Sequence, residues 1–331
     1  MCRYFQMGKS TKDKRDIYYR LAKEQGWRAR SAFKLLQIHD EFNILNDDVK
    51  RVIDLCAAPG SWSQVLSRTL YKTKRSTTTT INDLSLEMNE NLNLDEDNVK
   101  IIAVDLQTMA PLAGVEQIKG DITKRSTIET ILDLLKSSNG ETLKADLIIC
   151  DGAPDVTGLH DIDEFIQGNL VLAALNICLH CLCSNGSFIS KIFRTKNIDL
   201  LYQQLKLFFR DVTIAKPRSS RNSSVEAFII GRQFQIPDNF LVPSMAEPFA
   251  YSFEKNLVNN SFSLYSACII PFVACGSLDG FDSDKTYPLN LEGETKQYEY
   301  HEPVAPPINP PYEEACTLKK KQQLTKKLST T

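Results

Sequence analysis

Along residues 51–233, short apolar runs alternate with longer stretches in which apolar side chains recur every three or four positions. The runs RVIDLC (51–56), IIAVD (101–105), VEQI (115–118), DLIIC (146–150), SFISKIF (187–193), DVTIA (211–215) and EAFIIGRQ (226–233) are short and bounded by turn residues, as strands are. The stretches at 61–71, 125–136, 162–183 and 198–209 have helical spacing. Such alternation predicts an α/β fold with a mostly parallel, doubly wound sheet of seven strands. Only KPRSSRNSS (216–224) separates the last two strands, which is too short for a parallel crossover, so they should pair antiparallel.

Two helices are expected before the first strand. Residues 7–30 read as a basic, partly amphipathic helix ending near Gly26, and residues 31–45 as a second, capped by Ser31, with Phe33, Leu36 and Phe42 on one face. Residues 71–100 are polar, Thr- and Asn-rich and aperiodic, which marks a flexible insertion. Beyond 236 prolines accumulate and periodicity fades, although FSLYSACIIPFVACG (262–276) is apolar enough to pack on something. The chain therefore divides into N-terminal helices (1–45) packed on a catalytic domain (46–235), and a Pro-rich C-terminal extension (236–331) suited to docking a partner or RNA.

Composition narrows this only slightly. With 42% hydrophobic and 24% charged residues the chain reads as globular, and no consecutive apolar run approaches the roughly 18 residues of a membrane span, so no membrane partner is expected. Net charge is −2, but Lys and Arg outnumber Asp and Glu ten to three in residues 1–34. The last fifteen residues hold five Lys and no acid. Nine cysteines, most within apolar segments, fit a reducing compartment; the expectation is cytoplasm, with the nucleus as a second location.

The chemistry starts at VIDLCAAPGSW (52–62). A strand running through a tight turn into a helix N-terminus aims N–H groups at an anionic ligand. A dinucleotide's pyrophosphate needs several glycines there, whereas this turn has Gly60 alone, which favours S-adenosyl-L-methionine over a nicotinamide cofactor. Asp54, Asp105, Asp121 and Asp151 fall at or near successive strand ends, where carboxylates can bind ribose hydroxyls or an adenine amino group. Asp105 is preferred to Asp83 for the ribose because an apolar strand leads into it; each acid alone could equally cap a turn.

DLCAAPGSWSQVL, VDLQTMAPLAGVEQIKGDIT, CDGAPDVTGLHD, KIFR and KPRSSRNSSVEAF together resemble the FtsJ-type ribose 2′-O-methyltransferases over residues 7–235. Within that family the sequence is most similar to the eukaryotic branch acting on tRNA anticodon-loop riboses at positions 32 and 34, the PPYEEACTLKKK tail included. The resemblance implies a Rossmann-like methyltransferase fold and a catalytic Lys-Asp-Lys-Glu tetrad, matched here by Lys34, Asp151, Lys191 and Glu226. It also implies cofactor contacts at Gly60, Trp62, Asp105, Asp121 and Asp151, and large helper proteins, one of WD-repeat and one of armadillo-like type. Lys191 would serve as the base, since a ribose hydroxyl is a poor nucleophile at neutral pH. A second ammonium at Lys34 would favour neutral Lys191 while the two carboxylates oppose it, so the net shift has no sign at this level.

Lys9, Lys12, Arg28, Arg30, Arg194, Arg218 and Arg221 are the candidates for RNA phosphates. Trp27 and Tyr18 or Tyr19 could stack on bases, but core packing is the more ordinary role. CLHCLC (178–183) has the residue types of a metal site but sits on an apolar helix that points them apart, so no metal is expected. Large-subunit ribosomal RNA is the alternative substrate; an inactive RNA-binding scaffold and a nicotinamide-dependent oxidoreductase are the alternatives of other classes.

Overall fold

The computed structural model describes residues 15–72, 99–137, 139–154, 160–194, 198–238, 270–291 and 298–305, with 240, 242 and 318 in isolation. Lys9, Lys12, Asp83, the core of the expected insertion and nearly all of the basic tail lie outside the described residues.

The strands are β1 (Arg51–Leu55), β2 (Lys100–Asp105), β3 (Val115–Lys119), β4 (Ala145–Cys150), β5 (Leu182–Phe193), β6 (Phe209–Pro217), β7 (Glu226–Phe234) and β8 (Phe272–Cys275). The helices are α1 (Ile17–Glu24), α2 (Ala32–Phe42), α3 (Ser61–Lys72), α4 (Arg125–Leu134), α5 (His160–Cys181) and α6 (Ile198–Lys206). They form one sheet of order β3-β2-β1-β4-β5-β7-β6-β8, with β7 antiparallel to both of its neighbours and every other pairing parallel.

Seven strands were expected and eight are found among the described residues. β8 pairs parallel to β6, with Ile214 opposite Phe272 and Pro217 opposite Cys275. It escapes sequence reading because it is only four residues long and follows Pro271, whose carbonyl nevertheless accepts from Ile214 N–H at 2.9 Å. The strand covers the β6 edge that would otherwise present unpaired backbone groups.

Period-two alternation sorts the sheet residues onto two cores. Ile53, Leu55, Ile148, Ile192 and Ile229 face α4, α5 and α6, whereas Val52, Leu147, Ile149, Ile189, Phe228 and Ile230 face α2 and α3. By length and mean hydropathy (1.3) the segment Asp161–Cys181 of α5 could cross a membrane, which a count of consecutive apolar residues missed. It packs on β4 and β5 and buries Asp163 and Gln167. Cys178 and Cys181 of the CLHCLC stretch are buried in this core, and Cys183 is already on β5, where the helix has ended.

Of the first expected helix, residues 7–14 lie outside the described residues, and the second is shorter than the pattern suggested. α1 is capped by Asp16, which accepts from Tyr19 N–H. Ser31 makes no cap to α2: its backbone is helical, and its hydroxyl is paired instead with that of Ser61 at the start of α3. Tyr18 and Trp27 are buried, Tyr18 against Phe33 and Trp27 beneath the Arg68 guanidinium, so neither offers a free face to a base.

Candidate active site

Strand order reverses between β1 and β4, because β2 and β3 lie on one side of β1 while β5 and β7 lie beyond β4. Chains leaving these two strands diverge, and the crevice at their C-terminal ends is the ordinary ligand site of an open α/β sheet. It is bounded by Cys56–Gly60 after β1 and by Asp151–Pro154 after β4.

The β1 loop is held from below. Ala57 N–H donates to the Val104 carbonyl and Ala58 N–H to Asp105 Oδ2 at 2.8 Å, while Gln107 N–H occupies the other Asp105 oxygen. Gly60 has φ +97°, and a side-chain carbon there would sit 2.8 Å from Arg28 Nη1. The backbone conformation calls for glycine, and a side chain there would also have to displace the Arg28 guanidinium. The first bond of α3 runs from Gln64 N–H to the Gly60 carbonyl, so the helix N-terminus opens directly from the loop. Below them Asp54 is fully buried, with Oδ2 accepting from the Ser63 hydroxyl at 2.5 Å and Oδ1 without a hydrogen bond. Burial pushes its carboxyl up to about 7 against the Ser63 bond, and the charges of Asp151 and Asp105 add to the rise.

Trp62 turns inward: its ring packs 5.6 Å from that of Phe228 and its N–H donates to the Ser31 carbonyl. Its side chain belongs to the core, so only its backbone could meet a cofactor. Asp121, at the end of β3, accepts from the N–H and hydroxyl of Thr123 in its own turn. Burial raises its carboxyl, but these bonds and the Lys124 charge together outweigh it and leave the group below the ordinary carboxylate range.

Lys34, Lys191, Glu226 and Asp151 come from four different elements and converge. Lys191 shares its sheet face with Ile189, and Glu226 shares the same face with Phe228, which is the side α2 covers and from which Lys34 reaches down. Lys34 Nζ lies 2.7 Å from Glu226 Oε1 and 2.8 Å from Oε2, with the Phe228 ring 5.7 Å away. Lys191 Nζ donates to the Asp151 carbonyl at 3.1 Å. It also lies 3.3 Å from Asp151 Oδ1 and 3.8 Å from Glu226 Oε2 as ion-pair contacts. Burial favours neutral Lys191, but the carboxylates of Asp151 and Glu226 outweigh it, so the ammonium is held above its ordinary range. Glu226 moves the opposite way: burial raises it, and Lys34 and Lys191 pull it below the usual carboxylate range.

Two supporting residues carried no sequence signal strong enough to single them out. Gln167, polar within the apolar run of α5, donates through Nε2 to the Gly152 carbonyl at 3.2 Å and the Lys191 carbonyl at 2.7 Å, tying the ends of β4 and β5 together. Ser220 donates to Glu226 Oε1 at 2.7 Å.

The proposed RNA cations divide. Arg28 donates to the carbonyls of Pro59, Ala110 and Pro111, and Arg30 is bound to Asp16 and the Ser219 carbonyl; both are structural clamps rather than free phosphate ligands. Arg221 is mostly exposed and 3.6 Å from Asp16. Arg194 lies over the Phe272 ring at 4.4 Å, and Arg218 Nε donates to the Phe281 carbonyl.

An open sheet with its crevice at the order reversal and a lysine–carboxylate cluster beside it is the build of a Rossmann-like transferase. The chain belongs to the FtsJ-like methyltransferase family, whose model matches residues 27–234. It is 50% identical over 97% of its length to the human tRNA (cytidine(32)/guanosine(34)-2′-O)-methyltransferase, covering 88% of that protein. Against the Schizosaccharomyces pombe protein of the same name it is 47% identical over 96% of its length and covers all of that relative. A ribosomal RNA methyltransferase structure from Plasmodium falciparum shares the fold, with a TM-score of 0.50 at 23% identity over 64% of this chain and all of that one.

Proposed function

We propose that this enzyme transfers a methyl group from S-adenosyl-L-methionine to a ribose 2′-hydroxyl at position 32, position 34 or both of a tRNA anticodon loop. The observation that carries the reading is the convergence of Lys34, Asp151, Lys191 and Glu226 at one strand edge beside the β1/β4 crevice. The choice of tRNA rests on the names of relatives that match almost the whole chain.

The crevice suits the cofactor on its own features: a single glycine with positive φ, the N-terminus of α3, and a buried carboxylate oxygen at Asp54 without a hydrogen bond. Gly60, Asp105, Asp121 and the backbone at Trp62 and Asp151 would hold it, and when bound it supplies an electrophilic methyl on a sulfonium. The protein's part is orientation and proton removal. Lys191 Nζ takes the hydroxyl proton, which requires that it first lose its own, because the resting site holds it as an ammonium. Positive charge arriving in the crevice favours that loss. Asp151 and Glu226 keep the amine aimed at the crevice, and Lys34 balances Glu226. WD-repeat and armadillo-like helper proteins complete the proposal as selectors of the nucleotide.

The test is methyl transfer from labelled S-adenosyl-L-methionine to transcribed tRNA, with the modified ribose mapped. Wild type should label position 32, 34 or both, and Lys191→Ala should abolish transfer while calorimetric cofactor binding survives. Full turnover by that variant would remove the assignment of Lys191.

A further inference from the structure

The loop between β6 and β7 and the segment carrying β8 enclose a cavity of about 490 Å³ lined by Arg194, Lys216, Arg218, Val225, Phe272 and Leu278, among others. A family model ending at residue 234 does not include its β8 wall. The cavity adjoins the tetrad directly. Arg194 N–H pairs with the Val225 carbonyl as a continuation of the β5–β7 ladder, three residues or roughly 10 Å along the strand from Lys191. Lys216 Nζ donates to the carbonyls of Ser224 and Glu226.

Its charge is one-sided. Among the described residues no carboxylate lies within ion-pair distance of Arg194, Lys216 or Arg218. The Glu226 carboxylate is turned to Lys34 and Lys191, and Asp284, the other acid nearby, accepts from Asn222 and Ser223 N–H. Burial lowers the affinity of Lys216 for its proton, and Arg194 and Lys34 lower it further against Glu226 and Asp284. A lining that holds three cations and no acid attracts an anion. Flat apolar surface stands beside them, with Phe272 about half exposed under the Arg194 guanidinium and Leu278 88% exposed. Guanidinium and aromatic planes are the usual platforms for an unstacked base, and the volume is within the range of small-ligand sites.

We infer that this cavity is a subsite for a nucleotide flanking the methylated one, its phosphate held by Arg194, Lys216 and Arg218 and its base laid against the Arg194–Phe272 pair. The inference rests on the reading of the chain as an RNA ribose methyltransferase and adds how the substrate strand is held. It gives the C-terminal segment a part in substrate recognition.

Binding of an anticodon stem-loop RNA to the full chain, followed by fluorescence anisotropy across a salt series, tests it. Arg194→Gln should weaken binding about tenfold and reduce the slope of log K against log salt by about 0.7, the share of one phosphate contact on a single strand. Phe272→Ala should weaken it about fivefold or more at unchanged slope, since aromatic stacking is insensitive to salt. Leu278→Ala, too exposed to disturb folding, should show a smaller loss of the same kind, and calorimetric binding of S-adenosyl-L-methionine should be unchanged in all three. RNA affinity and salt slope within twofold of wild type in Arg194→Gln and Leu278→Ala would overturn the subsite while leaving the methyltransferase reading intact. A wild-type chain that methylates no tRNA would overturn that reading instead.

Discussion

Lys191 decides the pH behaviour of the site. Asp151 and Glu226 hold its proton on, so the neutral fraction at pH 7 is small and grows tenfold per pH unit below the raised value. At limiting substrate, kcat/KM should therefore climb through pH 7–9 without a plateau. Glu226→Gln removes one of the two charges that retain the proton, so the rise should begin at lower pH in that variant even though its maximum rate falls. A profile of kcat/KM against pH reads both effects, and an unmoved profile would separate Glu226 from Lys191. Asp54 shows the opposite arrangement, a carboxylate whose burial favours the neutral form. A folded-state value of about 7 against an unfolded value near 3.8 means the folded protein binds more protons over that interval, so stability is present below pH 4 and declines as pH rises towards 7. Asp54→Asn should be more stable than wild type at pH 8, by up to roughly 4 kcal/mol, with the difference vanishing near pH 4. Denaturant titrations at the two pH values check this. Asp54 was visible in the sequence as a strand-end acid, but its titration was not, because burial and the approach of Ser63 depend on how α3 packs.

At the scale of elements, the strand and helix pattern was largely readable because apolar periodicity is a local property. β1, β2 and β4 sit within a residue of the runs that predicted them. Side-chain assignments on those elements were less secure. Trp62 and Arg28 read as ligand contacts from motif and charge, yet one anchors α2 to α3 and the other bridges the β1 loop to residues 110 and 111. Those roles come from partners more than thirty residues away, which periodicity does not encode. The β1 loop is the element most exposed to a single change. Gly60→Ala places a methyl against the Arg28 guanidinium in a backbone region that costs an L-residue about 1–2 kcal/mol. Cofactor affinity should fall at least tenfold by calorimetry, and restored affinity in a Gly60→Ala, Arg28→Ala double variant would locate the clash. Gln167→Leu should leave cofactor affinity near wild type while lowering kcat, because it releases the carbonyls that align Asp151 and Lys191.

For the whole molecule, residues 270–291 and 298–305 of the C-terminal segment are part of the folded body. β8 closes the β6 edge, and described residues after it meet α1, where Tyr18 donates to the Phe281 carbonyl, Arg20 to those of Pro288 and Leu289, and Lys23 sits 4.2 Å from the Tyr300 ring. Truncation before residue 270 should expose the β6 edge and unsupported surface on α1, seen as a lower melting temperature and concentration-dependent aggregation in light scattering. By itself the sequence determined the parallel sheet, its antiparallel turn-back and the sparse-glycine loop, since each follows from spacing within a few dozen residues; the residue types of the cluster came from the family resemblance, not from local pattern. Tertiary structure alone decided that Lys34 meets Glu226, that Lys191 is held protonated, that Arg28 and Arg30 are clamps, and that an eighth strand walls a basic cavity. Those are consequences of contacts between residues up to 192 positions apart in the chain, and local pattern carries no information about which distant surfaces meet.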